Sequence, residues 1–115
     1  MSQVQRVIHS FLNYLRVEKG LAENTLAAYG RDLGKFAVFA AKNQRTLAQV
    51  RRDDVVDFLA SLYRQKLDSR SVARHLVTLR NFFRFAVAEE LLKDDPTLNL
   101  ESPKVWKTLP SFLSG

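Results

Sequence analysis

No cysteine occurs in the chain, which excludes a disulfide framework, thiol catalysis and any zinc site built on thiolates. Two histidines, His9 and His75, are too few for a His-rich metal site, and each flanks an apolar stripe where a structural role is the simpler reading. Long apolar runs are missing as well. The longest, Phe36 to Ala41, is far short of a membrane span. The N-terminus MSQVQRVIHS lacks the basic-then-apolar layout of a signal peptide, so a cytoplasmic location is expected. Proline is absent between Leu21 and Asp95, glycine is confined to Gly20, Gly30, Gly34 and Gly115, and no segment alternates with period two. These absences predict an all-α domain followed by a proline-punctuated tail.

What is present is one domain's worth of protein: 115 residues, 46% hydrophobic and 26% charged. Lys and Arg number 18 against 12 Asp and Glu, a net charge of +6. Such a surplus on a short chain favours a polyanionic partner, either nucleic acid or an anionic membrane surface.

Apolar periodicity lays out four helices. The first runs from about Val4 to Lys19, with Val4, Val7, Ile8, Phe11, Leu12 and Leu15 on one face and Gly20 placed to terminate it. The second begins near Asn24 or Thr25 and runs to about Lys42 on the stripe Leu26, Tyr29, Leu33, Phe36, Ala37 and Ala40. A short helix, Thr46 to Val50, leads to the third, about Asp53 to Lys66, where Asp53 and Asp54 complement the N-terminal dipole. The fourth starts after Asp68 or Ser69, either of which can cap it, and runs to about Glu90. Asp95 and Pro96 then read as a cap followed by proline at the first position of a short turn.

The fourth helix places Val72, Leu76, Leu79, Phe83 and Ala86 within about 40° of one line. Opposite them lie Arg70, Arg74, Val77, Asn81 and Arg84, with Arg80 at the flank. In the second helix Ala28, Arg31, Lys35 and Lys42 face away from the apolar stripe. A helix entering the DNA major groove needs cations for phosphates, Arg or Asn for base edges, and small residues for close approach. The starts of these two helices, at Asn24–Thr25 and Ser69–Arg70–Ser71, offer backbone N–H groups to phosphate. The pattern alone leaves two readings open, a DNA-binding surface and the solvated faces of amphipathic helices.

Other constellations point to no chemistry. Gly30 and Gly34 fall inside a helix with no following Lys-Ser/Thr, so they suit close helix packing and not a phosphate loop. Asp53, Asp54 and Asp57 are explained by the helix dipole without invoking a divalent cation. No Ser-His-Asp set or carboxylate pair stands out.

Taken in order, the residues resemble a known family. Phe11, Leu12, Tyr14, Leu15, Glu18, Lys19, Gly20, Leu21, Asn24, Thr25, Leu26, Ala28, Tyr29, Arg31, Asp32 and Leu33 look like the start of the core-binding domain of Xer-type tyrosine recombinases. The likeness continues through Asp54, Val55, Phe58, Leu59, Ala60 and Leu62. It is strongest at Arg70, Ser71, Arg74, Leu76, Leu79, Arg80, Phe82, Phe83, Arg84 and Phe85. It closes with Asp95-Pro96-Thr97, Ser102-Pro103-Lys104 and Leu109, Pro110 and Leu113. Two departures stand out: Ala22 where Ser is usual, leaving Asn24 as the fallback cap, and Arg51-Arg52 in place of a hydroxyl cap before the third helix.

The resemblance implies an all-α, four-helix SAM-like orthogonal bundle over residues 1–100, with 101–115 as a C-terminal linker to a catalytic domain. It implies that the second and fourth helices cross adjacent major grooves as one jaw of a clamp on DNA, while the first contacts a neighbouring subunit in a tetrameric synapse. The parent protein would resolve chromosome or plasmid dimers, or integrate DNA. The family's catalytic Arg, Lys, His-x-x-Arg and Tyr set finds no counterpart: Leu12 and Thr78 stand three residues after the histidines. The expected chain is therefore a fragment cut at a domain boundary, with no catalytic residue, cofactor, metal, membrane or small-molecule substrate. The DNA contacts expected are Asn24, Thr25, Arg31, Lys35, Arg70, Ser71, Arg74, Arg80 and Arg84, with Arg70 and Arg74 as base readers. A non-catalytic regulatory or protein-interaction domain, docking through the first helix and the segment Trp106 to Leu113, remains the alternative.

Overall fold

The computed structural model describes residues 2–98 and 100. Among them the chain forms four α-helices and one 3₁₀ turn, with no strand: α1 Gln3–Glu18, α2 Glu23–Lys42, the turn Leu47–Gln49, α3 Arg52–Arg64 and α4 Ser69–Ala88. All four expected helices are present, with ends displaced by one or two residues. The expected linker, 101–115, lies outside the described residues.

Each helix start has its own chemistry. Ser2 and Gln5 form a reciprocal capping box at α1: the Ser2 hydroxyl accepts from the Gln5 N–H at 3.1 Å, and the Gln5 side chain accepts from the Ser2 N–H at 2.9 Å. Ala22 caps α2 with no side-chain bond, and Asn24 falls inside the first turn. The fallback cap expected of Asn24 is thus not formed. At α3 the missing hydroxyl is offset by Asp54, whose carboxylate accepts from the Arg51 N–H at 2.9 Å and lies 3.4 Å from the Arg45 guanidinium. Asp68, and not Ser69, caps α4, accepting from the Ser71 N–H at 2.8 Å.

The helix ends are more uniform. Gly20 ends α1 with φ +62°, the left-handed conformation that glycine adopts without a Cβ penalty. The other three use Gln44, Lys66 and Glu90 in the same region, with φ of 56°, 69° and 61°. In each case the next residue's N–H returns to the carbonyl five residues back: Arg45 to Ala40 at 2.8 Å, Leu67 to Leu62 at 3.1 Å, Leu91 to Ala86 at 2.9 Å.

α1 packs on α2 and α4, and α4 also packs on α2 and α3. Adjacent phenylalanines on α4 serve two sides of the core. Phe82 meets Phe11 of α1 edge-on at 5.7 Å, while Phe83 meets Phe36 of α2 at 5.7 Å. Phe36 in turn meets Phe58 of α3 at 5.3 Å. All five rings are buried, so one aromatic chain runs through the contacts of all four helices. Gly30 faces α1, where a Cβ would sit 3.5 Å from Leu12 Cδ1. That is an ordinary van der Waals distance, and Gly34 faces open space, so the close helix packing expected of the two glycines requires glycine at neither. After α4, the Asp95 carboxylate accepts from the Thr97 N–H at 2.8 Å, forming the short turn expected at Asp95-Pro96.

Candidate nucleic-acid interface

The two helices with basic outer faces lie against each other and are joined by one ion pair. Arg74 of α4 donates to Asp32 of α2 twice, from Nε to Oδ2 and from Nη2 to Oδ1, both at 3.0 Å. Asp32 is 5% exposed, whereas the Arg74 side chain is 58% exposed. The pair therefore has one end in the core and the other at the surface. Its hydrogen bond to Asp32 holds the Arg74 guanidinium above its ordinary pKa, against a smaller desolvation effect.

Two further side chains converge on the same carboxylate. Thr78 donates to the Arg74 carbonyl at 3.0 Å and lies 3.5 Å from Asp32 Oδ2. His75 is buried, and its Nδ1 donates to the Ser71 carbonyl at 2.7 Å, since a carbonyl can only accept. Its Nε2 lies 3.3 Å from Asp32 Oδ1 without hydrogen-bond alignment. His75 is a structural residue beneath the surface; His9 is exposed on α1.

Around Arg74 the surface cations are unneutralised. Arg31 and Lys35 on α2 and Arg70 and Arg84 on α4 are exposed, and none forms a salt bridge with a carboxylate of the described residues. α4 carries four arginines over its 20 residues and no Asp or Glu. The two acids of α2 are both engaged by arginines: Glu23 by Arg16 at 3.0 Å, and Asp32 by Arg74. Positive charge thus accumulates over both helices with little internal compensation, as a surface for a polyanion requires.

The remaining predicted residues divide by position. Asn24 and Thr25 are exposed in the first turn of α2, beside N–H groups to which no side chain is offered as a cap. Ser71 is half-buried and its N–H is already bonded to Asp68, so the free backbone donor expected there is not available. Arg80 is half-buried and donates from Nη2 to the Leu100 carbonyl at 2.6 Å, toward the end of the chain. Val77 of α4 and Val38 of α2 stand exposed among the cations.

Sequence reasoning missed Asp32 and Thr78 as buried groups. A signal for Asp32 existed: it lies three residues after Tyr29 and four before Phe36, on the edge of the apolar stripe. For Thr78 there was little. The wheel places it about 120° from the centre of the α4 stripe, and its approach to Asp32 of α2 exists only in the packed molecule. Among the described residues, no group of three or more His, Asp or Glu side chains is placed to hold a metal ion. No helix among them is long and apolar enough to cross a membrane.

Residues 8–90 match the family described as phage integrase, N-terminal SAM-like domain. The chain is also similar to curated proteins along nearly its whole length. It is 33% identical over 113 residues to tyrosine recombinase XerD of Oceanobacillus iheyensis, covering 96% of this chain and 38% of that protein. It is 40% identical over 114 residues to tyrosine recombinase XerC of the same organism, covering 98% and 37%. It is 40% identical over 108 residues to tyrosine recombinase XerD of Pseudomonas aeruginosa, covering 94% and 36%. The chain thus spans little more than a third of the length of these relatives. No solved structure matches it.

Proposed function

The chain belongs to the phage integrase N-terminal SAM-like domain family, and from that membership we propose that it is the DNA-binding arm of a site-specific tyrosine recombinase. It grips one recombination half-site through α2 and α4, which enter adjacent major grooves. The observation that carries this reading is the cationic surface shared by the two helices, Arg31 and Lys35 on one and Arg70, Arg74 and Arg84 on the other, braced by the Asp32–Arg74 pair between them. Asn24 and Thr25 meet phosphate beside the uncapped start of α2. Ser71 contributes its side chain only, and Arg80 contributes only if it gives up the Leu100 carbonyl.

Strand cleavage is assigned to the part of the recombinase that this chain does not span, and no residue here is given a catalytic role. The activity of the whole protein is dimer resolution or DNA integration in the cytoplasm, with α1 meeting a neighbouring subunit of a tetrameric synapse. Val17, the most exposed large apolar residue of α1, supports that contact.

The test is fluorescence anisotropy of the 115-residue chain on a palindromic recombination-type duplex and on a scrambled duplex of equal length, at several salt concentrations. Affinity is expected to fall with salt by roughly 0.9 log units per log unit of salt for each phosphate neutralised. Absence of binding at low salt would overturn the reading and favour the protein-interaction alternative.

A further inference from the structure

Among the described residues, Arg74 is the one exposed cation whose guanidinium is held by a buried carboxylate. A guanidinium has five N–H donors in a rigid planar fork. Asp32 takes two of them along one edge, Nε and Nη2, each at 3.0 Å. Three donors remain: one on Nη1 and one on Nη2 form the end-on fork, and the second on Nη1 points along the opposite edge. The end-on fork pairs with two acceptors in one plane, as the O6 and N7 atoms of guanine present them in the major groove. A phosphate also accepts such a fork, but its oxygens can be met from many directions, so an unbraced arginine serves there equally well.

The brace itself is buried and packed. Asp32 sits on α2 with almost no exposure, with Thr78 and His75 of α4 packed against its two oxygens and the Phe58 ring of α3 behind His75 at 6.3 Å. Swinging Arg74 toward a neighbouring phosphate would leave a buried carboxylate without its best partner, which is costly. The pairing thus holds Arg74 to one direction and penalises the others.

We infer that Asp32 is a specificity-determining residue: it touches no DNA, but by holding Arg74 side-on it commits the end-on fork of that arginine to one guanine of the half-site. This rests on the DNA-arm reading. On that view Arg74 supplies the base contact and Asp32 the selectivity at that guanine, while Arg31, Lys35 and Arg84 supply affinity without regard to sequence and Arg70 reads a base, if it does, without a brace.

The experiment is selection from a random-sequence duplex pool by the 115-residue chain and by its Asp32→Asn and Arg74→Lys variants, with circular dichroism melts to establish that each folds. Asp32→Asn keeps the shape of the side chain and removes its charge. Arg74→Lys keeps the cation and removes the fork. The wild-type chain should enrich a motif with one strongly preferred guanine. Both variants should lose preference for that guanine alone, by about 5- to 140-fold, the range for one good bidentate base contact. Binding to the unselected pool should be unchanged in Arg74→Lys and equal or tighter in Asp32→Asn. Retention of the guanine by either folded variant would overturn the inference, as would loss of the whole motif. If Asp32→Asn does not fold, Asp32→Ser takes its place, replacing the carboxylate with a smaller buried polar group, and the same loss of the guanine is expected of it. Arg74→Lys by itself tests the base contact and not the brace. A wild-type chain that binds the pool but enriches no guanine also overturns the inference and leaves the DNA-arm reading standing. One that binds no duplex overturns the reading itself.

Discussion

Arg80 and Leu100 are tied to each other by a 2.6 Å hydrogen bond from the guanidinium Nη2 to the backbone carbonyl. Leu100 is itself buried in the core, so Arg80 fastens the residues after α4 to the middle of that helix. Arg80→Ala should therefore lower stability by about 1.5–3 kcal/mol, the usual range for a hydrogen bond to a charged group. Urea denaturation measures this. The salt slope of DNA binding should stay unchanged in the same variant. A slope smaller by about one would mean that Arg80 leaves Leu100 for a phosphate.

Lys35 and Arg74 should fail in different ways. Lys35 is an unpaired, exposed cation on α2, so Lys35→Ala should weaken binding equally on specific and scrambled duplexes and reduce the salt slope by about one. Arg74→Ala should cost about 1–3 kcal/mol on the specific site and much less on the scrambled one. Anisotropy titrations of both variants on both duplexes separate the two roles, and a reversed pattern would exchange them.

Ala22 stands at the N-cap of α2 and provides no side-chain acceptor. Its backbone is already extended, with φ −68° and ψ 154°, which is the conformation a capping serine uses. Ala22→Ser should raise stability by about 0.5–2 kcal/mol in a thermal or urea melt. No gain would mean that water satisfies those N–H groups equally well.

Three helices end on non-glycine residues in the left-handed region, and Lys66, with φ 69°, is exposed and unencumbered by any salt bridge with the described residues. Lys66→Gly should stabilise the domain by a few tenths to about 1 kcal/mol, because relief of the Cβ strain outweighs the added freedom of the unfolded chain. Gln44→Gly should stabilise the domain by a similar amount for the same reason. A loss of stability in either would show that the left-handed residue is not strained there.

Much of the fold was legible because it is one-dimensional information. The stripe Val72, Leu76, Leu79, Phe83 and Ala86 is entirely buried, and Gly20 ends α1 as its position in the pattern implied. The caps were less legible, since several hydroxyls and carboxylates compete at each start. Asp68 outcompeted Ser69 at α4, while the N-cap of α2, Ala22, falls two residues before the nearest good capping residue, Asn24.

Local periodicity and charge thus determined the four helices, their apolar faces and the accumulation of arginine on α4, because each depends only on residues within a turn or two of one another. Tertiary structure alone decided which cations are free. Asp32 and Arg74 are 42 residues apart, as are Arg80 and Leu100 by 20, and nothing in the spacing of either pair marks them as partners. Burial of a carboxylate is tolerated only where a cation reaches it, and that meeting exists only once α2 and α4 have packed. The wheels show seven arginines and lysines, all as surface charge. The packed molecule makes one of them directional, turns one to the backbone carbonyl of Leu100 and leaves the rest without a salt bridge among the described residues.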